Sequence, residues 1–223
     1  MPFLIFILNL RPESAVLTSL IIQTAGMGSG TIAFLRQKRI DFSLVLLLIA
    51  VTVPGIALGA YITHKAAAVH LELVLGLLTL MIAFLFVSAD EKYSDLGQTK
   101  ADLGIARRYS WQVSLMSIAS GMLSISIGEW LIPLMRNRMS LRMSTAIATS
   151  IATIFGTCVI GTAIHLGLGG QPDLKTVLWA VPGVVVGGQI GPHLTKRIDD
   201  RLLKEIFVFL LTLIGIHLIY NAF

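Results

Sequence analysis

Long apolar runs separated by short polar connections fill the chain. Ser14 to Leu35, Phe42 to Thr63, Leu71 to Ser88, Met143 to Leu168, Leu174 to Pro192 and Leu202 to Tyr220 each approach the roughly 20 apolar residues that carry a helix across a bilayer. Pro2 to Leu10 is too short to span, and Arg11-Pro12-Glu13 closes it. No run alternates with period two. A lipid-embedded backbone is satisfied only in helices or closed barrels, so every run is predicted to be a helix. The remaining stretch, Trp111 to Arg138, is as long as the others but carries Ser124-Ile125-Ser126-Ile127-Gly128-Glu129 at its centre. A carboxylate at that depth costs a few kcal/mol unless something compensates, which makes Glu129 a candidate for proton coupling or gating. The plainer reading of Glu129 is a partner for a neighbouring arginine. The predicted fold is an all-α polytopic membrane protein with about seven membrane segments and a broken or re-entrant helix at 111–138.

The polar pattern also repeats. Ser14-Ala15-Val16-Leu17-Thr18-Ser19 matches Thr145-Ala146-Ile147-Ala148-Thr149-Ser150 at an offset of 131, and Pro2 matches Pro133 at the same offset. Asp41 and Asp173 open the next span in each half, and Pro54-Gly55-x3-Gly59 recurs as Pro182-Gly183-x3-Gly187 at an offset of 128. Two homologous repeats are therefore expected: 1–88, a polar connecting loop at 89–110, and 111–223. Residues 1–10 align only with the tail of the central stretch from Ile132 onward, so the first repeat lacks its first segment. A further upstream segment, or one contributed by a partner chain, is expected to fill that place.

Loop charge bears on topology. If 111–138 crosses once, lysine and arginine divide eight to seven between the two sides; if it breaks and returns, they divide thirteen to two. Only the second division obeys the positive-inside rule, and it inverts one repeat relative to the other. Composition fits this class: 55% of the residues are hydrophobic and 13% charged, with a mean hydropathy of +0.84. A soluble domain carries about twice that share of charge. The net charge of +5 comes from loop clusters, so no nucleic-acid partner is expected. Cys158 lies in an apolar run and reads as a packed thiol.

The candidate chemistry is anion binding. Half-helix N-termini present free N–H groups and a positive dipole end, which attract anions without a cationic side chain. Ser124, Ser126 and Gly128 lie where the helix would break, and Thr18-Ser19 and Thr149-Ser150 could close the site from the following helix of each half. For any one of these hydroxyls, bonding to its own backbone or to a neighbouring helix is an equally ordinary role. Gly55/Gly59 and Gly183/Gly187/Gly191 are small-residue tracks expected to pack helices closely. A membrane-embedded hydrolase is the enzyme alternative: Gly26-Met27-Gly28-Ser29-Gly30 is a near miss to a nucleophile motif, with His165 and His217 as buried base candidates. A non-transporting membrane subunit is a third reading. The histidine spacing offers no metal or haem pattern, and no cofactor is expected. The expected partners are the lipid bilayer and a small anionic substrate, and a homo-oligomer is compatible with the sequence.

The paired halves, each with an Ala-x-x-Thr-Ser or Ala-x-Thr-Ser element after a small-residue segment ending in hydrophobic-Pro, resemble the sulfite exporter TauE/SafE family, also called the toluene sulfonate uptake permeases. The likeness runs from Pro2 to Tyr220. The family's Gly-hydrophobic-Gly-Gly-Gly-x3-hydrophobic-Pro signature falls on Ser124 to Pro133, with Ser124, Ser126 and Ile127 standing where it has glycine. The resemblance implies a secondary permease, moving a small sulfur oxyanion or organosulfonate across the bacterial cytoplasmic membrane.

Overall fold

A computed structural model describes residues 8–65, 97–124 and 126–194, with residues 4–5 and scattered positions within 73–84 and 209–220. Most of the predicted spans 71–88 and 202–220 therefore lies outside the described residues. Seven helices can be followed in full: α1 Pro12–Arg36, α2 Phe42–Lys65, α3 Leu103–Arg108, α4 Ser110–Leu123, α5 Gly128–Met139, α6 Met143–Gly167 and α7 Leu174–Leu194. The described residues form no strand; one isolated bridge joins Gln98 and Leu141. Of these helices α1, α2 and α6 are each long and apolar enough to cross a membrane by themselves.

The helix ends follow from local chemistry. Pro12 opens α1 with its φ already set for a helix, Glu13 sits in the first turn and Arg36 in the last, each matching the helix dipole. Asp41 precedes α2 and accepts from the Leu44 amide (3.3 Å), while Asp173 precedes α7 and accepts from the Thr176 hydroxyl. The predicted break is present. α4 stops at Ser124, whose left-handed backbone (φ 53°) lets its amide reach back to Ser120 O at 2.9 Å. α5 restarts at Gly128, whose amide donates to Ser126 Oγ at 3.2 Å.

The two arms fold back on each other. Before α4, the Gln98 amide donates to Ser140 O (2.8 Å); after α5, the Arg142 amide donates to Gln98 O (2.8 Å). Arg142 Nε also reaches Gly97 O at 3.0 Å, and the Arg138 guanidinium lies 5.4 Å from the centre of the Tyr109 ring. The outer ends of both arms are thus tied together at one end of the bundle. Asp41 anchors the connection there, since its second carboxylate oxygen accepts from the Ala101 amide at 2.8 Å.

α1 and α6 pack antiparallel. Leu20 borders Gly161, Phe155 borders Gly28 and Ile151 borders Gly30, so positions advance along one helix as they retreat along the other. Both helices have 25 residues, and backbone features recur at positions 131 apart. Arg11 and Arg142 cap α1 and α6 with near-identical dihedrals (−58°, 141° and −59°, 144°). Asn9 and Ser140, and Lys38 and Gly169, adopt positive φ. The hydrogen bonds cross over as well: the Asp173 amide donates to Thr18 Oγ1 (2.9 Å) and the Asp41 amide to Thr149 Oγ1 (3.1 Å). α7 packs on α1 and α2 on α6, with α4 laid against α2. The apolar core, including Val16, Leu20, Leu48, Val113, Leu131, Ile154 and Cys158, fills the space between α1, α2, the two arms and α6.

The glycine tracks behave unequally. A methyl on Gly59 would lie 2.2 Å from Ile118 O, and one on Gly121 would lie 2.4 Å from Ile56 O, so α2 and α4 meet backbone to backbone. A methyl on Gly183 or Gly187 would meet no atom of the described residues within 4 Å. Among the described residues no helix lies over that face of α7 as α4 lies over α2.

Candidate functional site

A helix end leaves its last four carbonyls without intrahelical partners. At the end of α4, side chains from three other helices supply the donors. Thr63 Oγ1 of α2 donates to Met122 O at 2.8 Å, and His165 Nε2 of α6 pairs with Gly121 O at 2.9 Å. Gln23, near the midpoint of α1, is the third. Its Nε2 lies 3.0 Å from Ser124 O, 2.8 Å from Ser124 Oγ and 3.0 Å from Ser19 Oγ. Its Oε1 faces the Cys158 thiol at 3.8 Å. Gln23 was not singled out from the sequence. The partner that gives it a role stands 101 positions away, and nothing local to Gln23 announces it.

On the other side of the break, Gly128 opens α5 against α6. A methyl there would lie 2.6 Å from Ile154 Cδ1, 2.9 Å from Ser150 Oγ and 3.2 Å from Ser126 Oγ, so only glycine lets the half-helix approach this closely. Ser150 is 1% exposed and its hydroxyl has no hydrogen-bond partner among the described residues. A buried hydroxyl without a partner carries a desolvation cost, which a ligand or ordered water would relieve. Between the arms, α1 and α6 lies a cavity of about 10 Å³, lined on its polar side by Gln23, Ser120, Ser124, Ser126 and Thr157. That volume suits about one water molecule. A larger cavity of about 270 Å³ lies between the arms, lined by Trp111, Trp130, Leu131 and Leu134 with Gln112 as its polar exception. Its walls suit hydrocarbon.

The residues singled out in the sequence divide into two groups. Ser19 and Ser124 gather at Gln23 on one side of the break, and Ser126 and Ser150 gather at Gly128 on the other. Thr18 and Thr149 do not: each accepts from the amide of an aspartate that caps a helix, at opposite ends of the bundle. Neither Thr-Ser doublet lines the small cavity. Glu129 is the second residue of α5, and its side chain lies outside the described part of the structure. Ser29 accepts from Gln189 Nε2 (2.7 Å) and faces Val185 O (3.5 Å), joining α1 to α7. His165, offered as a base, is instead paired with Gly121 O.

A helix broken inside a bundle is an arrangement that many secondary transporters use. The family comparison agrees. The model of the sulfite exporter TauE/SafE family matches residues 1–218, and the chain belongs to that family. It is 25% identical over 228 residues to the probable membrane transporter protein YunE of Bacillus subtilis (strain 168), covering 96% of this chain and 83% of that protein. No solved structure matches. The protein is a membrane transporter.

Proposed function

We propose that this chain is a secondary transporter that moves a small anion, a sulfur oxyanion or an organosulfonate, across the cytoplasmic membrane. The observation that carries the reading is the convergence at the helix break. Gln23 Nε2 holds the Ser19 and Ser124 hydroxyls on one side of the break, and Gly128 at the start of α5 lies against the Ser126 and Ser150 hydroxyls on the other. Every one of these groups is neutral. They offer N–H and O–H donors beside the positive end of a half-helix, which suits a weakly hydrated oxyanion. The small cavity is too tight for a tetrahedral anion, so the conformation described is a closed one, and opening requires the arms to move against α1 and α6.

The arms enter and leave on one side of the membrane. α4 is about 21 Å long and α5 about 18 Å, each shorter than the roughly 30 Å hydrocarbon core. With α1 and α6 antiparallel and their caps recurring at one spacing, the halves read as inverted repeats about an axis near the middle of both helices. The family membership supports the sulfur-oxyanion class.

Flux into proteoliposomes tests the proposal. Sulfite, thiosulfate or sulfoacetate should move faster than acetate in an arm-dependent way, and Ser150→Ala should weaken apparent affinity by about tenfold or more. That is the scale of one hydrogen bond to a charged group. The same variant should fold normally, because its hydroxyl satisfies nothing in the closed state. Equal movement of acetate, or unchanged kinetics in Ser150→Ala, would overturn the assignment.

A further inference from the structure

A fully buried histidine and a half-buried one meet beside the end of α4. His165 of α6 is fully buried, and His64, one residue from the end of α2, lies against it with ring centroids 5.5 Å apart at 42°. His165 Nε2 lies 2.9 Å from Gly121 O. A carbonyl oxygen only accepts, so that nitrogen carries the proton, and in the neutral ring Nδ1 is left with a free lone pair. His165 Nδ1 and His64 Nε2 are both buried without a hydrogen-bond partner among the described residues. Native interiors rarely leave two such atoms unused side by side. Among the described residues His64 is the titratable group that bears on His165, and α4 presents the Gly121 carbonyl.

We propose that His64 and His165 form a proton-binding site that acts on the helix break through the Gly121 carbonyl. A proton taken from water at the end of the bundle where α2 and α6 finish adds to the free His165 Nδ1. The ring becomes a cation while its Nε2–H bond to Gly121 is kept. That charge sits at the carbonyl end of α4, where the helix dipole is negative, and strengthens the tie between α6 and the arm. Loss of the proton weakens the same tie. Because Gly121 is three residues before Ser124, the state of the dyad is felt where the Gln23 bonds close the break. The role in transport rests on the function proposed above; the proton site itself does not.

The test uses the full chain in nanodiscs of phosphatidylethanolamine and phosphatidylglycerol. Ring-nitrogen NMR should show His165 passing from the Nε2–H tautomer to the doubly protonated ring between about pH 5 and pH 8. The carbonyl-carbon shift of Gly121 should move with it. A His165 that stays neutral over that range, or a Gly121 signal that ignores its protonation, overturns the proposal. His165→Gln keeps an N–H donor for Gly121 O but cannot take up a proton. In proteoliposomes, the ratio of thiosulfate flux at about pH 5.5 to that at about pH 7.5 should fall to near one in this variant while wild type retains its dependence. An unchanged ratio overturns coupling. If wild type moves neither sulfite nor thiosulfate, the anion assignment fails, and the two NMR signals still decide the dyad.

Discussion

Ser124 shows how one residue is held where its own preferences oppose it. Its φ of 53° is a conformation that costs a non-glycine residue about 1 kcal/mol or more, and the family signature has glycine at this position. Gln23 offsets that cost by bonding both the carbonyl and the hydroxyl of Ser124. The two positions should therefore respond differently. Ser124→Gly relaxes the backbone and leaves Ser124 O with its donor, so melting of the detergent-solubilised protein should change little. Gln23→Leu strips the donor from a carbonyl at the end of α4 and should destabilise by about 1–3 kcal/mol. Thermal melts of the two variants side by side check this; equal losses would mean that the Gln23 bonds do not hold the break. The sequence exposed Ser124 because a serine within an apolar run is conspicuous. It could not separate Ser19 from Thr18. Both are hydroxyls one residue apart, yet they point to different faces of α1, one toward Gln23 and one toward the Asp173 amide.

At the scale of whole helices, packing is set by which glycines meet backbone. Gly59→Ala would drive a methyl to within 2.2 Å of Ile118 O and 2.7 Å of Met122 N. Neither neighbour is the end of a flexible side chain, so α4 must move away from α2, carrying Gly121 and the break with it. Gly187→Ala meets nothing among the described residues within 4 Å. Size-exclusion profiles and melting temperatures should show Gly59→Ala severely impaired and Gly187→Ala close to wild type; equal damage would mean that the α2–α4 contact is not what the track serves. The break in 111–138 was readable because the loop charges obey the positive-inside rule only if the stretch returns, and because its centre carries two serines, a glycine and a carboxylate. The difference between the two Pro-Gly-x3-Gly motifs was not readable. Their residues are alike, and among the described residues what differs is that a helix lies over the first and not over the second.

For the molecule as a whole, the hydrogen bonds fix which connections share an end of the bundle. Asp41 joins the α1–α2 turn to residue Ala101, Gln98 joins both outer ends of the arms, and Thr149 brings the start of α6 to the same place. Arg36, Lys38, Arg39, Lys100, Arg107, Arg108, Arg136, Arg138 and Arg142 therefore gather at this end, while Arg11, Lys65 and Lys175 lie toward the other. By the positive-inside rule the first end is expected to face the cytoplasm. Loop charge alone allowed this only as one of two divisions, because it depended on whether 111–138 returned; the bonds between Gln98 and residues 140–142 supply the missing constraint. Cysteine labelling checks it. Cys158 is buried and does not compete for reagent. Cysteines placed at the exposed positions Lys100 and Arg138 should both resist a membrane-impermeant maleimide in intact cells and react in inverted vesicles, whereas one at Gln171 should do the reverse. A single crossing by 111–138 would separate Lys100 from Arg138, and their labelling from opposite sides would dissolve the hairpin, the inverted arrangement of the halves and the closed pocket built between them.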